Sequence, residues 1–368
     1  ESAMVDTCVF QVIKRKMEPG HKVEFLDGSS SLSEPTALPP IEQKMYLETQ
    51  SSVIFKPTEF NLAVYRRLGS TVKKLYDEWW DKISTSKKIA QYADELAAYR
   101  VSLKPGDIAL LGCLTEGGQG LATANNGKYV AVRASSKWAD KITKSEAEIA
   151  ALFDSLKEEY GRDIFGQGYL FKIVEEAEIA DVDTLTEDEK ENGIASDKPF
   201  YVPYDKGDKD GNRWYLDTPF VIAWSKENVQ FLKTDPKARY QGYAFYFREG
   251  FCWIDVNSTY LKSRIKGNGV FDVLSMSLFS MCHLENSYFV ALINSKLISL
   301  YVDNFINNTS HFQINDARQL PIIIPSDDIK DEITHLVADI VEKKKVGDTS
   351  ISGIEQRLEE LIAQLYSV

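Results

Sequence analysis

Apolar residues change their spacing several times along the chain, and each change marks an element. The opening run Val5-Asp6-Thr7-Cys8-Val9-Phe10-Gln11-Val12-Ile13 is β-branched and apolar, and reads as a buried strand. A start on a core strand points to a chain continued from a longer protein. Residues 27–40 are a Ser/Pro-rich connector, followed by expected short strands over 44–48 and 52–56. From Thr58 the period lengthens. Tyr65, Leu68, Val72, Leu75/Tyr76 and Trp79 form one stripe on a helix of about six turns. Residues 86–99 make a second helix with Ile89, Tyr92/Ala93 and Leu96 inward, so 58–104 reads as a helical hairpin that serves as a spacer.

After the turn Lys104-Pro105-Gly106-Asp107, short strands alternate with loops and a few helices as far as Pro325. Residues 243–247 and 251–254 read as strands around a Gly250 turn. Residues 286–306 read as one apolar helix, with Phe289, Leu292/Ile293, Leu297, Leu300/Tyr301 and Phe305 in register. Prolines hold 320–325 extended. Two amphipathic helices close the chain, one on Ile329, Ile333, Leu336/Val337 and Ile340, the other on Ile354, Leu358, Leu361/Ile362 and Leu365. The expected fold class is mixed α/β (α+β), a small-strand domain over 105–325 flanked by the 58–104 hairpin and a helical pair over 326–368. Residues 1–57 are read as the closing strands of a preceding domain with a connector.

The composition is that of a soluble globular protein, 43% hydrophobic and 27% charged over 368 residues. No apolar run reaches the roughly 18 residues that span a bilayer, and the N-terminus lacks a signal-peptide pattern. Four cysteines without a CxxC pair fit reduced thiols in the cytoplasm. The net charge of −12 opposes a simple nucleic-acid binder. The acid is unevenly placed, however. It gathers between Glu146 and Glu191 and in the C-terminal helices, whereas 199–268 is richer in Lys and Arg.

Motifs for catalysis are missing. Gly127-Lys128 is followed by Tyr129 and lacks the upstream glycine of a phosphate loop, and Gly118-Gln119-Gly120 lacks the third glycine of a dinucleotide fingerprint. An EF-hand aligned on Asp208, Asp210 and Gly211 would put Lys206 at the first calcium ligand. The histidines are scattered, and neither GxSxG nor HExxH occurs. Asp327 and Asp328 are explained by capping a helix. The chain reads as non-catalytic and metal-free.

Four stretches concentrate DNA-type contacts. Residues 117–129 carry glycines that allow close approach, with Gln119, Asn125 and Asn126 able to meet adenine edges and Lys128 beside them. A flexible hairpin with an Asn-Gly turn explains the same residues equally well. Lys206, Lys209 and Arg213 could hold phosphate, although the interleaved Asp residues fit an ion-paired turn. Arg239, Arg248, Lys262, Arg264 and Lys266 form the densest basic patch, opposed only by Glu249 and Asp255. Asn308, Thr309, His311 and Gln313 offer small donors suited to sugar–phosphate, or simply end a helix.

Several motifs carry a resemblance. Asp6-Thr7-Cys8-Val9-Phe10 resembles the strand that ends the catalytic domain of gamma-class adenine-N6 DNA methyltransferases. Residues 291–297, continuing to 312–322, look like the closing section of TaqI-like specificity domains. Residues 354–366 resemble the tail of such subunits. Gly120–Lys128 is similar to a run of this group that includes the methyltransferases of BREX phage defence, with Ala124 and Gly127 departing from it. The resemblance covers most of the chain and implies the target-recognition region of a type IIG restriction–modification or phage-defence methyltransferase. Such enzymes use S-adenosylmethionine and an N-P-P-Y motif and flip the target adenine. Here Leu38-Pro39-Pro40-Ile41 lacks both the Asn and the Tyr, so methyl transfer and cofactor would belong to the parent enzyme outside this segment. The implied partners are double-stranded DNA, the upstream methyltransferase domain and other restriction or defence subunits, without a membrane. The competing expectation is a protein–protein scaffold whose acidic face binds partner subunits.

Overall fold

The computed structural model describes residues 11, 13–31, 33–149, 151, 170, 172–208, 211–253, 255–256 and 260–367. Most of the expected opening strand with Cys8, as well as Lys209 and Ile254, lies outside the described residues. The fold is mixed α/β, with small sheets packed among helices.

The connector over 27–40 is instead the turn and second half of a hairpin. Strand β1 (Lys22–Asp27) pairs antiparallel with β2 (Thr36–Glu42). The Asp27 carboxylate accepts from the Ser29 N–H at 3.0 Å and starts the turn. Pro39 and Pro40 fall where the register shifts between Val23 and Phe25, an irregularity in the ladder that tolerates residues without an N–H. The strands expected at 44–48 and 52–56 are absent. Lys44–Leu47 is a helical turn and Gln50–Ser52 a 3-10 turn. The Thr49 hydroxyl donates to the Tyr46 carbonyl at 2.7 Å, and the buried Gln50 amide reaches the Phe305 carbonyl at 3.4 Å. Local side-chain bonds win over the weak strand pattern.

The helical hairpin follows the apolar stripe. Thr58 caps the helix through the Asn61 N–H at 3.2 Å. Helix Glu59–Val64 runs through a π turn, Tyr65–Gly69, into Ser70–Ile83 and buries Leu68, Val72, Trp79 and Ile83. Helices Ser86–Gln91 and Ala93–Ser102 return along it.

The remaining strands are β3 (Ile108–Leu110), β4 (Thr115–Gly118), β5 (Val130–Arg133), β6 (Ile173–Val174), β7 (Tyr201–Asp205), β8 (Phe220–Ala223), β9 (Gly250–Trp253), β10 (Ser263–Lys266), β11 (Val270–Phe271), β12 (Met276–Ser280) and β13 (Pro321–Ile323). They build an antiparallel sheet in the order β10-β9-β12-β4, a mixed sheet β11-β7-β8-β5-β6, and the pair β13-β3. Tyr243–Phe245, expected as a strand, is a 3-10 turn entered through Gly242 at φ 72°. The apolar helix over 286–306 is two helices, Asn286–Asn294 and Lys296–Phe305. They break where Asn294 pairs with Ser263 and Ser295 caps the Ile298 N–H at 3.2 Å. The terminal helices Asp327–Lys345 and Ser352–Tyr366 lie where their stripes predict.

One large core runs from Ile41 to Tyr366 and joins the hairpin, β9, β12 and the last helices. A second core lies on the mixed sheet under helix Lys226–Thr234, around Tyr129, Tyr204, Trp224 and Phe271. Among the described residues no helix is long and apolar enough to cross a membrane.

Candidate nucleic-acid interface

Two of the sequence-selected stretches meet in space. Past β4 the chain runs along β11 and the 239–242 loop. The Leu121 N–H donates to the Phe271 carbonyl at 2.8 Å, and Ala122 and Arg239 exchange backbone hydrogen bonds of 3.1 and 2.9 Å. The approach demands glycine. A Cβ on Gly120 would lie 2.0 Å from the Phe271 carbonyl oxygen, and one on Gly242 would lie 2.8 Å from that of Gln119. The glycines thus join loop to loop, where the sequence pattern predicts close approach of a ligand.

Around this crossing, Gln119, Lys128, Lys237, Arg239 and Arg248 are exposed, and among the described residues none of these cations has a carboxylate within 4.0 Å. Aromatic rings hold two of them. The Lys128 ammonium sits 4.4 Å from the Phe231 ring centroid, and the Arg248 guanidinium 5.3 Å from that of Phe245. Lys233, also exposed, donates to the Asn192 side chain at 3.0 Å and lies 5.7 Å from the Tyr240 centroid.

Other expected contacts are used differently. Asn125 caps the turn by accepting from the Lys128 N–H at 3.2 Å, and Asn126 accepts from the Thr123 hydroxyl at 2.8 Å, so both amide oxygens serve the loop itself. The basic patch over 239–266 is only partly a surface. Arg264 is 4% exposed and grips Asp205 through both terminal nitrogens at 2.6 and 2.8 Å. Lys266 is 1% exposed and donates to the carbonyls of Arg248, Gly267 and Gly269 at 3.1, 2.9 and 3.5 Å. Although β10 is the edge of its sheet, the face that carries Arg264 and Lys266 is covered by Asp205 of β7 and the Phe271 ring of β11, so neither side chain turns outward. As folded, Arg264 and Lys266 present nothing to a phosphate. Burial lowers the Lys266 ammonium to about 8. For Asp205, burial opposes ionisation, but the Arg264 guanidinium overcomes it and holds the carboxyl at about 2.

Arg213 is likewise occupied, bonding the Asn294 carbonyl at 2.9 Å and Glu355 at 3.4 Å. Lys206 stands 4.0 Å from Asp272. Lys262 is half-buried and has no carboxylate partner among the described residues. Asn308, Thr309, His311 and Gln313 lie in an exposed loop at the Trp253 end of β9, whereas Arg248 precedes its Gly250 end. In that loop His311 contacts Asp255 at 3.0 Å, and Gln313 donates to the same carboxylate, which opposes phosphate there.

The sequence reading missed Lys233, Lys237, Tyr240 and Tyr243. They share a stretch of 11 residues with Arg239, and that interleaving of cations and tyrosines about Gly242 was the available signal. Among the described residues, no group of three His, Cys, Asp or Glu side chains is arranged for a metal. Compared with protein-family models and with curated proteins, the chain matches no family and no relative.

Proposed function

We propose that this chain reads a DNA target for an adenine-N6 methyltransferase of the restriction–modification or phage-defence kind. The observation that carries the DNA half is the set Lys128, Lys237, Arg239 and Arg248, four exposed cations about two crossed loops, without carboxylate partners among the described residues. Cations left unpaired by their own fold are available to phosphate, and the open Gln119 amide beside them has the donor–acceptor pair that adenine presents in the major groove. The methyltransferase half rests on the motif resemblance. In this reading S-adenosylmethionine and the transfer chemistry belong to a catalytic domain on another stretch of the parent enzyme, and that domain and duplex DNA are the partners, in the cytoplasm.

The acidic run favours a second reading. It folds into the turns Glu176–Glu178 and Val182–Thr184 and the helix Glu187–Asn192, which expose Glu187, Asp188 and Glu191 as a ready face for a basic protein. Salt separates the two. Anisotropy of a labelled 30-base-pair duplex titrated with this chain at 50, 100 and 200 mM NaCl should give a log–log slope near −3 to −4 for about four phosphate contacts. Joint Arg239→Ala and Arg248→Ala substitution should lower the slope by about 2. Absent or salt-insensitive binding refutes the DNA reading.

A further inference from the structure

We infer that Tyr243 is a stacking platform for an unstacked nucleobase, an inference that rests on the nucleic-acid reading and extends it from phosphates to base faces. Three near-parallel rings lead from the second core to solvent. Trp224 is fully buried, its indole N–H donating to the Lys190 carbonyl at 3.1 Å. Tyr240 stacks on it with centroids 6.4 Å apart and planes 18° apart. Tyr243 stacks on Tyr240 at 5.7 Å and 20°. Tyr243 is the outermost member and is 65% exposed.

The two inner rings are braced. Tyr246 packs edge-on against both inner rings, at 82° to Trp224 and 81° to Tyr240, and its hydroxyl donates to the Gln241 carbonyl at 2.7 Å. Gly242 holds the turn against the Gln119–Gly120 backbone. An exposed aromatic ring already locked in place loses little freedom when another ring joins the stack.

Charge selects the kind of ring. Lys233 flanks Tyr240, and Lys237 and Arg239 are exposed in the same loop. An apolar peptide side chain gains nothing from three cations, whereas a base brings its phosphate with it. The opposing charges are Glu191, felt at Tyr240, and Asp235, whose carboxylate accepts from the Lys237 N–H at 2.9 Å. The ligand is therefore a base free of its helical neighbours, either from a single strand or extruded from a duplex.

Three labelled probes distinguish these sources at 50 mM NaCl: a dT20 single strand, a fully paired 20-base-pair duplex, and the same duplex with one bulged thymine. Tyr243→Ala should weaken dT20 or the bulged duplex roughly tenfold, with the paired duplex changed less than about twofold. Loss with dT20 alone assigns a single strand, and loss with both assigns an extruded base as well. Tyr243→Phe should keep wild-type affinity, and an unchanged unfolding midpoint excludes misfolding as the cause. The inference is overturned if Tyr243→Ala binds dT20 and the bulged duplex like wild type, or loses all three probes equally. Salt-dependent duplex binding with no Tyr243 effect would sink the platform and leave target reading intact. Tyr243-dependent dT20 binding without duplex binding would do the reverse. No binding to any probe refutes both.

Discussion

Arg264 and Asp205 form a bidentate pair inside the protein, and what surrounds them decides what the pair does. The Ser275 hydroxyl donates to Asp205 at 2.9 Å, and the Cys252 sulfur lies 2.8 Å from an Arg264 nitrogen. Burial pushes the Cys252 thiol up to about 12, so it stays neutral and inert. Removing one partner strands the other charge in the interior. Asp205→Ala is expected to cost about 3–5 kcal/mol in urea unfolding at pH 7; a loss under about 1 kcal/mol would contradict a desolvated pair. Lys266 gives a pH signature. Its folded value of about 8 lies below the ordinary 10.5. The unfolded chain therefore binds more protons across that window, and stability rises with pH there. Between pH 7.5 and 9.5 the wild type should gain on the order of 1–2 kcal/mol relative to Lys266→Met. Equal pH slopes in the two proteins would show that Lys266 is not desolvated. The sequence shows these residues as cations near aromatics, but not that they point inward, because that depends on which face of β10 is covered.

At the scale of elements, regular apolar periods translate directly and short mixed ones do not. The helices over 70–83, 327–345 and 352–366 follow stripes several turns long, where many apolar contacts act together. The stretch over 286–306 has the same period yet breaks at Ser295. The Asn294 side chain accepts from the Ser263 N–H at 2.8 Å and donates to its carbonyl at 2.9 Å, fixing the first helix against the end of β10. Asn294→Ala leaves that N–H without this acceptor and should destabilise by about 1–3 kcal/mol. Hydrogen exchange at Ser263 should speed up before exchange in the mixed sheet does. If Ser263 stays as protected as in the wild type, the break has another origin. Tyr243–Phe245 fails as a strand for a related reason. Gly242 in the left-handed region turns the chain at the point where it meets Gln119, and the tyrosines then align into a column rather than alternate across a sheet.

In the whole molecule the segments at 58–104, 105–325 and 326–368 are not separate in packing, since one core takes residues from all of them. The terminal helices contribute Ile333, Val337, Ile340, Leu358, Leu361, Ile362 and Tyr366, and the Tyr366 hydroxyl donates to the Pro321 carbonyl at 2.6 Å. A chain ending at residue 325 should therefore lose cooperative unfolding and bind a hydrophobic dye; a single sharp transition with wild-type near-UV dichroism would show the helices to be dispensable. Charge is also organised at this scale. At a net charge of −12 the molecule still places four exposed cations, Lys128, Lys237, Arg239 and Arg248, around one loop crossing, while exposed acid runs over 175–191. The sequence by itself determined the mixed α/β class, the long helices and the candidate loops, because periodicity and turn chemistry are local. Tertiary structure alone decided which cations stay exposed, that the glycines join two loops, and that Trp224, Tyr240 and Tyr243 stack outward. Burial and ring stacking are relations between residues far apart in the chain, and no local pattern encodes them.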